Sequence, residues 1–350
     1  MSDVALKIDN LIYGGWTESR VEMAIGEIAS TFELTLSAHW GQRRGRPAIM
    51  DNSAVQILID DELVIDGWID ELRTSYDHET ATTTITGRSR TADLVDCSAG
   101  AKISEWKDRT LLQIAADIGR EFGVTVRALT DVGEPFAKVD VSQGESAGDF
   151  LQRLCAARAV FPMADVHGNL TLVRAGEELQ GALVLGKNIK AMSGTSSSRG
   201  RFSPVIVKGD GMGNIWADPD ATASSDARAT DVNVARYRPK IIISETSGDA
   251  KSFADRAQFE VNVRAGKAKS YEYTLTGWRT GGATGPLWQP NKLVTVDDPE
   301  AGIDTTMLVE RVVFTKNEEG TLTQLSVVPP AAYDLIPVPL DQGTEGALSW

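Results

Sequence analysis

A mainly β fold is what these 350 residues predict: two copies of an antiparallel β-barrel module, with α+β material inserted. Three observations carry that reading. First, a six-residue strand occurs twice, as Phe32-Glu33-Leu34-Thr35-Leu36-Ser37 and as Tyr271-Glu272-Tyr273-Thr274-Leu275-Thr276, with Glu33 and Glu272 separated by 239 positions. Both copies alternate apolar and polar with period two, the pattern of a strand with one buried face. Second, Trp68-Ile69-Asp70-Glu71-Leu72 precedes Leu308-Val309-Glu310-Arg311-Val312 by 240 positions, and the same register sets Thr83-Thr84-Ile85-Thr86 on Thr323-Gln324-Leu325-Ser326. Third, the connections recur in order. Asp77-His78-Glu79-Thr80 matches the turn Asn317-Glu318-Glu319-Gly320, and each copy has an upstream apolar strand running into paired acids, Asp60-Asp61 and Asp297-Asp298.

In chain order, residues 1–91 are the first β-barrel. Val4 to Ile12 is expected to open it as one strand ended by Gly14-Gly15, and Trp16 to Ile28 to form a strand pair broken at Gly26. Gly41-Gln42-Arg43-Arg44-Gly45-Arg46-Pro47 is a basic, glycine-punctuated loop on an acidic chain. It reads either as a solvated loop tip or, through Arg43, Arg44 and Arg46, as a contact with an acidic neighbour.

Residues 92–190 form an α+β insertion. Ser104 is the expected N-cap of a helix with Asp108 near its first turn and an apolar stripe of Leu111, Leu112, Ile114, Ala115, Ile118 and Phe122, stopping at Gly123. Gly144-Glu145-Ser146 starts a second helix through Phe150, Leu151, Leu154 and Cys155, and the His167-Gly168-Asn169 turn joins a hairpin. Residues 191–330 are the second β-barrel, interrupted by the loop 209–228 with Trp216 and by a helix that Ser247 caps. Residues 331–350 form the tail; with Pro329-Pro330 ahead of it and Pro337 and Pro339 within it, it is expected to be extended, since proline removes backbone donors.

Hydrophobic content of 42% and charged content of 24% place the chain among globular proteins with a sizeable core. The net charge of −14 argues against nucleic-acid binding by charge neutralisation and suits a surface past which a polyanion slides without sticking. No apolar run reaches membrane-span length and Met1-Ser2-Asp3 does not start a signal peptide, so no membrane association and a cytoplasmic origin are expected. Cys97 and Cys155 are too few for a disulfide framework and read as structural thiols.

No catalytic residue, metal site or cofactor site emerges. Gly209-Asp210-Gly211-Met212-Gly213 follows a strand, but Asp218-Pro219-Asp220 stands where a nucleotide fingerprint needs a helix. Asp218, Asp220 and Asp226 lack the glycine and bidentate glutamate of a calcium loop. His39, His78 and His167 fall on separate elements, which excludes a zinc pattern. Of acid pairs such as Asp60-Asp61, Asp70-Glu71 and Glu318-Glu319, which could suggest a glycosidase, most fall at or near turns, where solvated charge is expected. Two other classes stay open: a carbohydrate- or receptor-binding β protein using Trp16, Trp40, Trp68, Trp278 or Trp288, and a cell-wall hydrolase.

The helix Thr110-Leu111-Leu112-Gln113-Ile114-Ala115 ending in Phe122-Gly123-Val124, the Gly144-Glu145-Ser146 start leading to Phe150-Leu151-Gln152-Arg153-Leu154, the Gly168-Asn169-Leu170 hairpin, and the Leu308-Val309-Glu310 strand with its distal Pro329-Pro330 give the chain a likeness. In this arrangement it resembles the baseplate hub proteins of contractile-tailed phages, those of Mu-like phages most closely. The resemblance implies tube-like barrels, a homotrimeric ring with pseudo-sixfold symmetry joining a six-fold tail tube to a three-fold spike, and no catalytic residues. It also implies as partners the spike protein, a tail tube or distal tube protein and other baseplate proteins, a virion location after assembly in the host cytoplasm, and a channel that passes DNA without specific binding. In such a ring, Glu33, Thr35 and Ser37 with Glu272, Thr274 and Thr276 face away from the cores and are candidates to line the lumen.

Overall fold

Period-two alternation becomes strand wherever the first module carries it: β1 (Val4–Ile8), β2 (Leu11–Tyr13), β3 (Glu18–Ala24), β4 (Thr31–His39), β5 (Ala54–Ile59), β6 (Glu62–Tyr76) and β7 (Thr80–Ser89). The computed structural model describes residues 3–9, 11–39, 49–78, 80–100, 102–209, 226–244, 250–282 and 284–333. All pairings in this module are antiparallel, in the order β2-β1-β5-β6-β7-β4-β3. Two expectations are corrected here. The opening strand is a hairpin, because Asp9 takes a φ of 51° and turns the chain between β1 and β2. Trp16 to Ile28 holds a single strand, β3, after which the chain leaves the sheet at Gly26 with a φ of 83°.

The insertion runs α1 (Ala92–Asp96), β8 (Glu105–Arg109), α2 (Leu111–Glu121), β9 (Val126–Ala128), β10 (Phe136–Asp140), α3 (Ala147–Ala157), β11 (Phe161–Ala164) and β12 (Leu170–Val173). The N-cap of α2 is Thr110 and not Ser104. The Thr110 hydroxyl accepts from the Gln113 amide at 3.3 Å while the Gln113 side chain accepts from the Thr110 amide at 3.1 Å, a reciprocal box that fixes the start. Ser104 instead precedes β8, and Asp108 lies within that strand at a φ of 49°. Helices α2 and α3 turn their apolar stripes onto one core of Leu111, Ile114, Ile118, Phe150, Leu151 and Leu154, where the Trp106 and Phe150 rings stack with centroids 5.5 Å apart. Ile28 of the first module is buried in the same core.

The second module has β13 (Leu179–Val184) and β14 (Ile189–Ser196). An excursion follows through β15 (Val205–Gly209), β16 (Asp226–Ala229), β17 (Lys240–Ser244) and α4 (Ala250–Lys267), and the module resumes as β18 (Lys269–Thr276), β19 (Leu293–Asp298), β20 (Ile303–Asn317) and β21 (Gly320–Val328). Because β13 pairs with β19 and β14 with β18, this module begins at Leu179, ahead of the expected boundary at 190–191. The excursion packs its own small core of Val205, Val207, Phe253, Ala257 and Val261, with Arg201 and Asp231 tied by a buried ion pair at 2.6 Å.

Strand for strand, β19, β20, β21, β18 and β14 repeat β5, β6, β7, β4 and β3. The match extends to irregularities: the β6–β7 register shifts between Ile69 and Glu71, and the β20–β21 register between Val309 and Arg311. One difference is directional, since β1 lies antiparallel on β5 and β13 parallel on β19.

The two modules share a sheet and a core. β3 pairs antiparallel with the distal half of β20, from Arg311↔Ala24 to Lys316↔Ser19, and so joins a 13-stranded sheet. Val21 and Met23 meet Val312 and Phe314 in a single buried cluster that also holds Phe32, Leu34, Tyr273 and Leu275. Arg311 pairs with Glu22, Lys316 with Asp3 at 2.7 Å, and Arg279 with Glu62 at 2.6 Å, so three cations of the second module hold acids of the first. Close approach also needs glycine at Gly87, where a Cβ would lie 2.4 Å from the Phe32 ring and 2.1 Å from the Trp68 carbonyl.

The chain after β21 corrects the expected extended tail in its first residues. Pro330–Ala332 is a short 3-10 helix with proline at its start, and Ala332 and Tyr333 are buried. Tyr333 donates its hydroxyl to Glu310 and meets Phe161 edge-on at 4.6 Å. Helix α4 reaches this corner through Gly266, where a Cβ would lie 1.7 Å from that of Ala332.

A shared core makes the modules unfold together. Phe314→Ala is expected to destabilise the chain by about 3–5 kcal/mol, the range for truncating a buried aromatic, and to move both modules in one urea transition followed by tryptophan fluorescence. Two separated transitions, with only the second shifted, would show that the modules are independent. The insertion has its own test. Glu145 accepts two bonds from Arg153, at 2.9 and 3.0 Å, and one from the Ser142 amide at 2.9 Å. Burial pushes its carboxyl up, but these bonds outweigh burial and hold it below the usual carboxylate range. A depressed folded value stabilises above the unfolded pKa of about 4.3 and loses that contribution as pH falls through the folded value. Glu145→Gln is therefore expected to cost about 1–2 kcal/mol at neutral pH, with the gap to the parent closing in acid; a gap independent of pH refutes the assignment.

Candidate assembly surface

The six hydrophilic positions of the repeated strand lie on one face of the sheet. On β4, Phe32 and Leu34 are buried while Glu33 and Ser37 are exposed and Thr35 is half-buried. On β18, Tyr273 and Leu275 are buried, Glu272 and Thr276 are exposed and Thr274 is half-buried. Their cross-strand neighbours correspond. Glu33 stands opposite Thr86 and Glu272 opposite Ser326; Thr35 stands opposite Thr84 and Thr274 opposite Gln324. The Thr35 and Thr84 hydroxyls are bonded at 3.3 Å.

Because partners across a ladder share a face, the β3–β20 junction continues these rows from one module into the other. One row runs Thr276, Leu322, Thr315, Arg20, Glu33, Thr86 and Glu71. The cations in these rows are tied to acids: Arg20 to Glu22 at 2.7 Å, Arg73 to Glu71 at 3.2 Å, and Arg88 to both Asp70 and Asp96 at 2.6 Å. The Asp96 carboxyl is held below its ordinary range by its hydrogen bonds from Arg88. Apart from Leu322, the row is made of hydroxyls, acids and acid-paired arginine.

Other expected sites disperse. Arg43, Arg44 and Arg46 lie outside the described residues, as do Asp218, Asp220, Trp216, Ser247, Pro337, Pro339 and most of the loop 209–228. Asp226 begins β16 as an exposed residue. Trp16, Trp278 and Trp288 are buried in the shared core, and Trp68 is half-buried beneath Arg90, so these four do not line an exposed aromatic cleft; Trp40 is outside the described residues. Among the described residues no three His, Cys, Asp or Glu side chains are placed to hold a metal ion, and no helix is long and apolar enough to cross a membrane. Cys97 is exposed; Cys155 is fully enclosed, and burial pushes its thiol up to about 12, which suits an unreactive core residue.

The acid pairs have structural work that turn chemistry did not reveal. Asp60 lies 3.4 Å from Arg279 of the second module, which Glu62 also holds, and Asp60 accepts from the Asp3 amide at 3.0 Å. Asp298 is buried and caps the following turn through the Ala301 amide at 3.2 Å. Glu319 pairs with Lys190 at 2.9 Å. Arg279 and Asp60 are 219 positions apart, so local pattern contains no signal for this contact.

Three family models match this chain. Residues 3–89 match the N-terminal domain described as Mu phage baseplate assembly protein GpP-like, residues 91–174 the second domain of baseplate hub protein gp44-like, and residues 249–336 the fourth domain of Mu phage baseplate assembly protein GpP. The chain is 34% identical over 348 residues to baseplate hub protein gp44 of Escherichia phage Mu, covering 97% of this chain and 90% of that one. Among solved structures it is similar to the 43 kDa tail protein of prophage MuSo2 from Shewanella oneidensis, with a TM-score of 0.83, 36% identity and coverage of 96% and 100% of the two chains. A tail protein from Neisseria meningitidis MC58 has the same fold at a TM-score of 0.81, 19% identity and coverage of 96% and 99%.

Proposed function

Since the chain belongs to the baseplate hub proteins of Mu-like phages, we propose that within the tail baseplate it is a structural adaptor whose three copies close head to tail into a ring of six β modules. The ring joins a six-fold tail tube to a three-fold spike and leaves a channel for DNA. The observation that supports this most is the β3–β20 joint. It pairs one module with a differently placed edge of a like module, which is a heterologous contact. Contacts of that kind propagate, and they close when the rotation per unit divides a full turn. A step of about 60° per module closes after three chains with two modules each.

The hydroxyl-and-acid face of both modules then turns inward. Glu33, Thr35, Ser37, Glu272, Thr274 and Thr276 line the lumen, where a net charge of −14 on the chain keeps a polyanion from adhering. The insertion, present once per two modules, imposes three-fold character on the spike side. The spike, a tube or distal tube protein and other baseplate proteins are the partners, with Arg43, Arg44 and Arg46 offered to an acidic neighbour. The role is structural and not enzymatic, carried out in the virion after assembly in the host cytoplasm.

Light scattering on the purified chain is expected to give a trimer, and electron microscopy a ring with six lobes; a stable monomer or dimer that persists with the spike protein present ends the ring reading. A lumen lined by these acids makes a second expectation. Phage carrying Glu33→Lys with Glu272→Lys are expected to assemble tails in normal yield yet release DNA at least about 10-fold more slowly, as six new cations meet each passing phosphate chain. Unchanged release from normally assembled tails would put this face elsewhere.

A further inference from the structure

We propose that a cavity at the meeting point of the two modules, the insertion and α4 seats the proline-bearing run Leu335-Ile336-Pro337-Val338-Pro339-Leu340 of the same chain. The inference stands apart from the ring reading. The cavity measures about 260 Å³ and is partly open to solvent. Each part of the chain supplies a wall: Ile25 and Gly26 from the end of β3, Phe161 and Pro162 from β11, Phe259 from α4 and Arg311 from β20. Backbone bonds hold these walls together. The Ile25 amide donates to the Glu310 carbonyl at 2.9 Å and the Gly26 amide to the Pro162 carbonyl at 3.0 Å. A site built this way is formed before its occupant arrives.

The lining suits a proline-bearing peptide. Phe161 lies between two other rings, 5.4 Å from Phe259 and 4.6 Å from Tyr333, and all three line the cavity. Phe259 and Tyr333 are buried, while Phe161 keeps partial exposure. Tyr333 is fixed in place by donating its hydroxyl to Glu310. Aromatic grooves take up extended proline segments because such segments are already stiff and lose little freedom on binding. Proline leaves carbonyls that need donors, and Gln152 and Arg311 bring side-chain N–H groups to the cavity. Glu27 and Glu310 line it as well, so an uncharged occupant is favoured over an acidic one.

The chain itself carries such an occupant. Tyr333, a wall of the cavity, is the last residue before 334–350, which lie outside the described residues. By sequence, Asp334 is followed by six apolar positions in a row and then by Asp341. Those six carry no charge to meet Glu27 or Glu310, and the acids stand at either end of the run. Two prolines bar it from joining a sheet as a central strand, so burial of its side chains in a groove is the way left for it to leave water. Leu335 is two residues from Tyr333. A fully extended chain covers at most about 3.6 Å per residue, so the run starts within about 7 Å of Tyr333. That proximity favours capture by its own chain over capture by another copy. Seated there, the run binds the first module, the insertion, α4 and the second module at a single corner.

Disulfide trapping in the full-length chain tests the seat. In a Cys97→Ser background, Gln152→Cys at an exposed position of α3 is combined with Ile336→Cys and oxidised; Cys155 is buried and takes no part. A second chain carries the same changes with Val338→Ser and Leu340→Ser added, which keeps the length between the thiols and removes apolar surface. The first chain is expected to link within itself at least about 10-fold faster than the second, since the two lost side chains hold the run in place. Equal rates mean that proximity alone brings the thiols together, and they overturn the seat. A link between two chains, read as covalent dimer on a denaturing gel, overturns it in favour of a run from another copy. Stability gives an independent readout. Without the added cysteines, Val338→Ser with Leu340→Ser is expected to lower the midpoint of thermal unfolding by at least about 2 °C. A run that stays in water tolerates both changes, so an unchanged midpoint overturns the proposal.

Discussion

Backbone pairing between β3 and β20 is the constraint on which the rest of this structure depends. It turns two β modules into one sheet and lets their apolar faces meet in one core. Opening it would expose Val21, Met23, Val312 and Phe314, each worth about 1.5–3 kcal/mol when fully buried, and would also separate Arg311 from Glu22. The ion pairs Lys316–Asp3 and Arg279–Glu62 lie across the same division and depend on the modules being held in this relation. The continuous hydrophilic face depends on it too, because rows of side chains run from one module to the other only while the ladder is intact.

The paired bulges show how one strand serves two neighbours. An extra residue at Asp70 and at Glu310 kinks each long strand beyond the half that faces β5 or β19, and in β20 the second half is turned toward β3. The spare side chains have diverged in use. Asp70 holds Arg88 within the first module, whereas Glu310 accepts the Tyr333 hydroxyl and ties the residues after β21 to the sheet. Burial and the nearby Glu310 carboxylate together push the Tyr333 phenol well above its ordinary range, which keeps it a donor.

Much of this was legible in the sequence because it is local. Alternation in Phe32–Ser37 and Tyr271–Thr276 follows from one buried face, and the helical stripe of Leu111, Ile114, Ala115 and Ile118 follows from another. The single offset of 240 through β6 and β7 against β20 and β21 fits a bulged ladder that tolerates no slip without turning every side chain over. What escaped was non-local or a contest between equal signals. Ser104 and Thr110 both suit an N-cap, and only the Gln113 side chain decides between them. Asp60 reads as a solvated turn acid, since its partner Arg279 comes from the other module. The union of the modules was hidden for the same reason: an edge strand such as β3 has the same alternation whether or not its outer side is paired. Of the candidate surface, the sequence carried the facing of Glu33 and Glu272 and left the rows linking them to the fold.

Covalent linkage of the two modules has a kinetic meaning. As separate chains, halves bearing β3 and β20 would have to find one another by diffusion, at a rate set by their abundance. On one chain they meet at an effective concentration on the order of millimolar, whatever the number of copies present. The joint within the chain thereby does not depend on dosage, and a one-to-one ratio of the two unlike halves is written into the gene.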